Sequence, residues 1–205
     1  MFRNKIVING NELKLLIARC IKRDLNAQEL LYRNFYSFAM SICLRYSSNR
    51  SEARIIINDG FLKVFANLHK FVAEKPFEPW LGKIMSNTSI DHYRAELKHM
   101  NLLDIADVDE VFVDATIEQK LYYDELVKLV QQLPPSYRAV FNLYAVDGLT
   151  HEEIAKKLHI SVGGSKSNLF KARKKLRDLL EEAYKQSEKI ININEPEYQL
   201  LRISK

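Results

Sequence analysis

The sequence predicts an all-α protein made of two helical domains joined by an acidic linker. Apolar residues recur at spacings of three and four along most of its 205 residues, which is the period of helices that bury one face. Only six glycines and five prolines occur, so strong turn signals are sparse. An acidic, weakly periodic stretch near the middle of the chain separates the two predicted domains.

The first predicted domain spans residues 10–97 and contains four apolar stripes with helical spacing. The stripes lie at residues 13–17, 30–44, 55–71 and 77–90. Residues 72–76 lose this period and end in Pro76, which predicts a loop between the third and fourth helices. This domain is long enough to bury a core of its own.

Residues 98–117 form the predicted linker, because acidic side chains cluster there and the helical period is lost. The acidic residues in and next to it are Asp104, Asp107, Asp109, Glu110, Asp114 and Glu118. The second predicted domain spans residues 118–186. The tail, residues 187–205, contains Pro196 and is predicted to be irregular, although its isoleucines and leucines suggest that it docks on another surface.

The stretch 133–180 carries the most informative local pattern in the chain. Pro134 and Pro135 suit the first turn of a helix, where the missing N–H costs no intrahelical hydrogen bond. Gly148 can adopt the left-handed conformation that ends such a helix. Thr150 and Glu153 then have the spacing of a capping box at the start of a second helix.

Ser161 is the predicted N-cap of a third, longer helix that is rich in basic residues. Two helices joined by a short turn, the second one positive, is the layout of a helix-turn-helix whose second helix enters the major groove. The polar candidates for DNA contact on this helix are Lys166, Ser167, Asn168, Lys171, Arg173 and Lys174. The alternative is a solvated basic helix in an ordinary bundle, but the capping box, spacing and turn together favour DNA.

A second constellation lies in residues 77–94. Trp80, Leu81 and Ile84 share one helical face, and Asn87 and Asp91, with Arg94 after them, follow on an adjoining face. Taken alone, this pattern is more typical of a core tryptophan beside a capped, salt-bridged exposed face than of a functional site.

Taken together, the two constellations resemble the extracytoplasmic-function branch of the bacterial sigma factors, the promoter-specificity subunits of RNA polymerase. Three blocks in order carry the resemblance, over about residues 10–183. They are residues 52–71 with the run Asn58-Asp59-Gly60-Phe61, residues 77–94 with Trp80, Asn87, Asp91 and Arg94, and residues 133–173 with Thr150, Glu153-Ile154-Ala155 and Lys166-Ser167.

The resemblance implies a first domain of the sigma region 2 type. Such a domain grips the clamp helices of the large polymerase subunit, here through Asn58, Asp59 and Phe61. It also recognises and melts the minus-ten element, with a base flipped into the loop before the tryptophan. The residues that the resemblance assigns to this region are Phe71, Phe77, Trp80, Asn87, Asp91 and Arg94, with Trp80 expected to hold the loop from the core.

The resemblance also implies a second domain of the sigma region 4 type, with a helix-turn-helix that reads the minus-thirty-five element. The expected partners are core RNA polymerase, through its clamp helices and flap, promoter DNA and an anti-sigma factor. The acidic linker is expected to thread near the active cleft and the RNA exit path. A stand-alone helix-turn-helix regulator and a protein-binding adaptor bundle are the alternatives from other classes.

Two departures from the family pattern stand out. Arg54 and Ile55 occupy positions where the family usually has acidic residues, which affects the expected contact with the clamp. Gly164 and Ser165 occupy positions where the family often has threonine and valine. Glycine destabilises a helical turn by about 1 kcal/mol relative to alanine. Ser165 is on the inward face, so its hydroxyl needs a hydrogen-bond partner such as a carbonyl in the preceding turn.

No enzyme signature competes with this interpretation. The five histidines show no metal-ligand spacing, and the sequence contains no glycine-rich phosphate loop. Cys20 and Cys43 are far apart, as expected for two buried thiols in a reducing cytoplasm. The sequence shows no signal peptide and no apolar run long enough to span a membrane. We therefore expect a cytoplasmic, soluble protein that needs no cofactor or metal and does not insert into membranes.

Overall fold

The computed structural model describes residues 10–100 and 118–200, with side chains at 10–97, 123 and 125–185. Every regular element in these residues is helical, which confirms the all-α prediction. Contacts between Cα atoms divide the chain into two units, with the division between Thr116 and Ile117. The acidic stretch 101–117, which forms most of the predicted linker, lies outside the described residues.

The first unit contains four α-helices and one 3-10 turn. They are α1 (Gly10–Ile21), α2 (Leu25–Tyr46), α3 (Arg50–Asn67), the 3-10 turn Leu68–Lys70 and α4 (Phe77–Met100). Asp24 caps α2 by accepting from the Ala27 N–H, and Asn49 caps α3 by accepting from the Glu52 N–H at 2.9 Å. The last helix reaches into the predicted linker, because residues 98–100 still belong to α4.

The core of the first unit lies where α2, α3 and α4 pack together. Leu31, Ile57, Phe61 and Leu81 are among its side chains, each at most 2% exposed. Gly60 allows α3 and α4 to approach closely, since a Cβ atom there would lie only 2.5 Å from the Met85 sulfur. The glycine in the first family block therefore has a packing role that fixes the α3–α4 contact.

The second unit contains four α-helices and a π-helical turn. They are α5 (Glu118–Gln131), α6 (Pro135–Phe141), the π-helical turn Asn142–Val146, α7 (His151–Leu158) and α8 (Val162–Leu200). Pro135 is the first helical residue of α6, and Gly148 has the predicted positive φ, at 72°. The predicted proline start and glycine end are therefore confirmed, and the π-helical turn between them was not foreseen.

The capping signals around α7 and α8 are also confirmed. Thr150 Oγ1 accepts from the Glu153 N–H at 3.2 Å, and a Glu153 carboxylate oxygen accepts from the Thr150 N–H at 2.8 Å. Ser161 Oγ accepts from the Gly164 N–H at 2.9 Å and so caps α8. His159 ends α7 in the left-handed conformation (φ 55°) without a glycine. The starts of α7 and α8 therefore lie where the capping residues predict, whereas the left-handed end of α7 at His159 was not predicted.

The tail differs from the prediction. Helix α8 continues to Leu200, so the expectation of an irregular segment from residue 187 is wrong as far as that residue. Asparagine costs only a few tenths of a kcal/mol in a helix, roughly, and the preceding Glu, Lys, Gln and Ala residues are good helix formers. A helix already formed by tertiary packing can therefore propagate through such a segment.

Candidate functional site

The basic helix α8 is held against α7 by a short apolar face. Ile154 and Leu158 of α7 are buried, as are Leu169 and Ala172 of α8. Ser165 completes the inward face of α8 and is fully buried. Because these positions recur at three and four, the opposite face of the first turns of α8 points away from the unit.

That outward face presents basic and polar side chains. Lys166, Ser167 and Lys174 are exposed, and Asn168 is partly buried at the edge. The structure therefore brings three of the six predicted contact residues, Lys166, Ser167 and Lys174, onto one exposed strip of α8. Asn168 lies outside this strip, next to the buried face.

Lys171 and Arg173 are exposed but lie on opposite flanks of α8. Two helical positions are about 200° apart, so the two side chains leave the helix on different sides. The Lys171 Nζ lies 5.9 Å from the ring centre of Tyr137, and the Arg173 guanidinium lies 5.6 Å from that of Tyr144. Each distance is within the range of a cation–π contact, worth about 0.5–1 kcal/mol at exposed sites.

Phe170 was missed by the sequence reasoning. Its ring is 71% exposed and lies between the basic residues of the strip. The signal was available, because Phe170 directly follows the inward-facing Leu169 and so falls outside the buried stripe. An exposed aromatic ring on a basic helix can pack against sugars or base edges as well as against protein.

Ser165 has a partner other than the one expected. Its hydroxyl forms a 2.9 Å hydrogen bond with Nδ1 of His151, the first residue of α7, in place of a carbonyl in its own preceding turn. The His151 ring in turn stacks on Tyr144, with 4.7 Å between ring centres. The buried hydroxyl is thus satisfied by a contact between two helices.

In the first unit, the residues predicted to contact polymerase are placed differently from one another. Asn58 is exposed and accepts a 2.9 Å hydrogen bond from the Tyr32 hydroxyl. Asp59 is half-exposed and is hydrogen-bonded to Nε2 of His92 on α4 at 2.7 Å. Phe61 is only 2% exposed, so its ring belongs to the core and supports α3 from within.

Two exposed apolar residues flank Asn58 on α3, and both were missed as candidates. Ile55 is 57% exposed and Leu62 is 68% exposed, at three residues before and four residues after Asn58. This spacing places all three on one helical face. We call the surface formed by Ile55, Asn58 and Leu62 the α3 face. Exposed apolar side chains in a row on a helix are typical of a surface that another protein covers.

The aromatic residues predicted around the minus-ten loop form one cluster. Phe71 lies 5.3 Å from both Phe77 and Trp80, measured between ring centres, and Phe35 of α2 lies 4.8 Å from Phe77. Phe77 is 3% exposed, whereas Phe71 and Trp80 are half-buried. Such ring pairs fix the loop 71–77 against the helices. The expectation that Trp80 is a core residue is wrong, because Trp80 is only half-buried and packs on Phe71 and Phe77 at the edge of the core.

A cleft of about 350 Å³ lies between α1 and this loop. It is lined on the helix side by Leu13, Lys14 and Ile17 and on the loop side by Phe71, Lys75 and Phe77. Asn87 does not line the cleft, since it lies ten residues from Phe77, about 15 Å along the α4 axis. The structure thus groups the aromatic candidates of the minus-ten region, Phe71, Phe77 and Trp80, and places Asn87 apart from them.

Asp91, one of the polar candidates on α4, is joined to α3, and Arg94 lies near it on α4. Asp91 accepts a 2.8 Å hydrogen bond from Lys63, and its other carboxylate oxygen lies 3.7 Å from Arg94 Nη1. Together with the pair of Asp59 and His92, these contacts border an open groove of about 410 Å³ between α3 and α4. The two cross-helix pairs, Lys63 with Asp91 and Asp59 with His92, join α3 to α4 along their exposed edge.

The titratable groups with shifted pKa values have structural explanations. Burial raises the pKa of the Cys20 thiol to about 11 and that of Cys43 to about 12. Hydrogen bonds from the Thr150 backbone and hydroxyl lower the pKa of Glu153. Both thiols are therefore protonated at neutral pH and act as packing residues. Among the described residues there is no group of three or more potential metal ligands.

Models of two known protein regions match the chain. The sigma-70 region 2 model matches residues 31–98, and the sigma-70 region 4 model matches residues 123–176. Together the two matches cover more than half of the 205 residues. The first contains the α3 face and the aromatic cluster, and the second contains the capping box and the basic strip.

Two curated relatives and one solved structure are similar to this chain. The RNA polymerase sigma-H factor of Pseudomonas aeruginosa is 27% identical over 184 residues, covering 82% of this chain and 95% of the relative. The sigma factor SigZ of Bacillus subtilis is 31% identical over 143 residues, covering 66% and 79%. The sigma factor RpoE of Bartonella quintana, solved with the anti-sigma factor NepR, aligns with a TM-score of 0.49 and 22% identity over 75% of this chain and 95% of that one.

No helix within the described ranges is both long enough and apolar enough to cross a bilayer. The two family models and the curated relatives show that the chain belongs to the sigma-70 family, as an alternative sigma factor of the extracytoplasmic-function type that works with core RNA polymerase to direct promoter-specific transcription.

Proposed function

We propose that residues 10–97 bind the polymerase clamp and open the minus-ten element, and that residues 118–186 read the minus-thirty-five element. The observation that supports this best is the exposed strip on α8. A helix positioned by α7, capped at its start and carrying exposed Lys166, Ser167, Phe170 and Lys174 has what a major-groove reader requires.

The strip has two chemical functions in this proposal. Lys166 and Lys174 neutralise phosphates, which supplies affinity that falls as salt rises. Ser167 and Asn168, near the start of the helix, are short polar side chains that can reach base edges. Lys171 and Arg173 extend the contact on the two flanks. The promoter is therefore read over the first three turns of α8.

The α3 face is the proposed contact with the clamp helices. Ile55 and Leu62 supply apolar area on either side of Asn58, and the exposed Arg54 lies beside them. The family usually has acidic residues at positions 54 and 55, so this chain replaces part of a charged contact by an apolar one. Asp59 lies next to the α3 face, whereas Phe61 supports α3 from the core.

The cleft between α1 and the loop 71–77 is the proposed place for a base flipped out of the minus-ten element. Extruding a base costs a few kcal/mol, roughly, and this cost is recovered by stacking on an aromatic ring in a pocket. Phe71 offers a half-exposed ring, while Lys14 and Lys75 are exposed cations beside it that can meet the backbone. Asn87, Asp91 and Arg94 contact DNA further along α4 in this proposal.

The remaining assignments follow from the family and from the sequence. The protein itself catalyses no reaction and lends promoter specificity to the polymerase. It acts in the cytoplasm, where the polymerase is. An anti-sigma factor that masks the DNA- and polymerase-binding surfaces is the proposed regulatory partner, and residues 98–117 are proposed to thread through the polymerase as an acidic linker.

The experiment that tests the whole proposal is assembly of the full chain with cognate core polymerase, followed by transcription from a genomic fragment library and mapping of start sites. Stable assembly with discrete new start sites is the expected result. Binding to duplex DNA without assembly would instead support a stand-alone regulator, and binding to neither would support an adaptor bundle.

A pair of matched variants sharpens the domain assignment in the same assay. Lys166→Ala with Lys174→Ala should leave assembly intact and weaken promoter binding, because both residues lie in the second unit. Leu62→Asp should weaken assembly, because it places a charge on the α3 face. The reverse pattern would overturn the division of labour between the two units.

A further inference from the structure

Four side chains of the second unit form a continuous chain of contacts that ends at a cation of α8. Ser165, fully buried in the first turn of α8, is hydrogen-bonded to His151 at 2.9 Å. His151 stacks on Tyr144 of the π-helical turn at 4.7 Å between ring centres, with 23° between the planes. The Arg173 guanidinium lies over the same Tyr144 ring, 5.6 Å from its centre.

This chain connects three separate elements. Ser165 and Arg173 are eight positions apart on α8, about 12 Å along its axis, while His151 begins α7 and Tyr144 lies in the π-helical turn. The series of contacts from the Ser165 hydroxyl to the Arg173 guanidinium therefore runs along the first part of α8. Guanidinium groups are planar and stack on aromatic rings, so a ring fixed by a second contact restricts where Arg173 can point.

Lys171 on the opposite flank has a different environment. Its ammonium lies 5.9 Å from the ring centre of Tyr137 in α6, and no second ring or buried hydroxyl backs that contact among the interactions described here. A lysine is a flexible point charge, which can neutralise a phosphate in many positions. The two flanks of α8 thus carry one oriented cation and one adaptable cation.

We infer that Tyr144 and His151 are positioning residues that fix Arg173, so that Arg173 discriminates between minus-thirty-five sequences whereas Lys171 adds affinity regardless of sequence. A guanidinium held in one orientation can form paired hydrogen bonds with a base edge, and such bonds are lost on the wrong base. This inference rests on the proposed reading of the minus-thirty-five element by α8.

The test uses holoenzyme assembled from the full chain and two promoter fragments that differ only in the minus-thirty-five element, one cognate and one scrambled. The measured quantity is the ratio of the two dissociation constants at fixed salt. Tyr144→Leu should lower this ratio by about 5- to 20-fold, the range expected for losing one oriented base contact. Tyr144→Phe keeps the ring and should keep the ratio.

Two further variants make the result specific to positioning. In the Arg173→Ala background, Tyr144→Leu should have no further effect on the ratio, because the group that it positions is gone. Tyr137→Leu, the matched change under Lys171, should weaken binding to both fragments equally. His151→Ala should act in the same direction as Tyr144→Leu.

Two outcomes would overturn the inference in distinguishable ways. If Tyr144→Leu and Arg173→Ala lower the melting temperature but leave the ratio unchanged, the chain of contacts is only structural. If the double variant Lys166→Ala, Lys174→Ala also leaves binding to both fragments unchanged, α8 does not contact the minus-thirty-five element. The inference about Arg173, which depends on that contact, is then wrong as well.

Discussion

The α3 face of the first unit and the α8 strip of the second use their motif residues in opposite ways. In the first unit, most of the polar motif residues contact neighbouring helices: Asn58 accepts from Tyr32, Asp59 pairs with His92, and Asp91 pairs with Lys63. In the second unit, Lys166, Ser167 and Lys174 stand exposed on the outward face of α8. The first motif therefore combines exposed residues with cross-helix and core contacts, whereas the second mainly displays exposed side chains.

This difference teaches that a family motif does not mark contact residues uniformly. Around Asn58, the side chains best placed to meet a partner are the apolar Ile55 and Leu62, which lie beside the motif run. Around Lys166, the motif residues themselves are the exposed ones. Substitution of the buried Phe61 should therefore act mainly through stability, and substitutions in the second motif mainly through affinity.

The largest expected effect is that of Phe61→Ala. Removing a buried phenylalanine should lower the free energy of unfolding of the first unit by about 3–5 kcal/mol, as measured by urea denaturation of the full chain. Leu62→Ala, one residue along on the exposed side, is the control and should change it by less than about 0.5 kcal/mol. Loss of polymerase assembly by Phe61→Ala with unchanged stability would mean that Phe61 is a contact residue after all.

Leu62→Asp should come next in size. A charge in the middle of an apolar contact surface should weaken assembly with core polymerase by about 10- to 100-fold, measured by titration against labelled polymerase. Leu25→Asp is the matched control, because Leu25 is even more exposed, at 77%, and lies at the start of α2 away from the α3 face. Equal effects of the two changes would break the comparison by showing that the α3 face is not a special surface.

Thr150→Ala should have an intermediate effect on the second unit. Loss of an N-cap costs about 1 kcal/mol, and the loss should appear in thermal unfolding of the full chain. The cap also holds the pKa of Glu153 below its ordinary value. Stabilisation from a lowered carboxyl pKa is fully present above the ordinary glutamate value, about 4.3, and is lost as the pH falls through the lowered one.

The stability of the unaltered protein should therefore decline more between neutral pH and about pH 3 than that of a Glu153→Gln variant, because the Thr150 backbone N–H, which Thr150→Ala would keep, is the main cause of the lowered Glu153 pKa and glutamine has no carboxyl to titrate. Glu152→Gln, which removes a neighbouring carboxylate outside the capping box, is the control and should keep the steeper decline. Parallel pH profiles for the two forms would show that the capping box does not contribute to the pH dependence.

Single substitutions on the strip should have the smallest effects. Lys166→Ala, Lys171→Ala and Lys174→Ala should each weaken promoter binding modestly and reduce the slope of log affinity against log salt by about one. The affinity of the holoenzyme for one promoter fragment at several salt concentrations measures both quantities. An unchanged slope for all three would remove α8 from the DNA interface.

Much of the fold could be predicted because its signals are local. The capping box of Thr150 and Glu153, the Ser161 cap and the positive φ of Gly148 depend on residues within three or four positions of one another, and all were confirmed. The helical period likewise located the core positions Leu81 and Leu169. The tail was predicted incorrectly, since α8 runs through Pro196 to Leu200 although an interior proline removes a helical hydrogen bond and ordinarily kinks or ends a helix.

What the sequence by itself determined is the helical class, the order of the helices, their caps and the family. What only the tertiary structure decided is which motif side chains are exposed to a partner and which are buried or hydrogen-bonded to another helix. The bond of Ser165 to His151 joins residues 14 apart, and that of Asp59 to His92 joins residues 33 apart. The physical reason is that burial and cross-helix pairing depend on which helices pack together, and that packing is a property of the whole core rather than of any single segment.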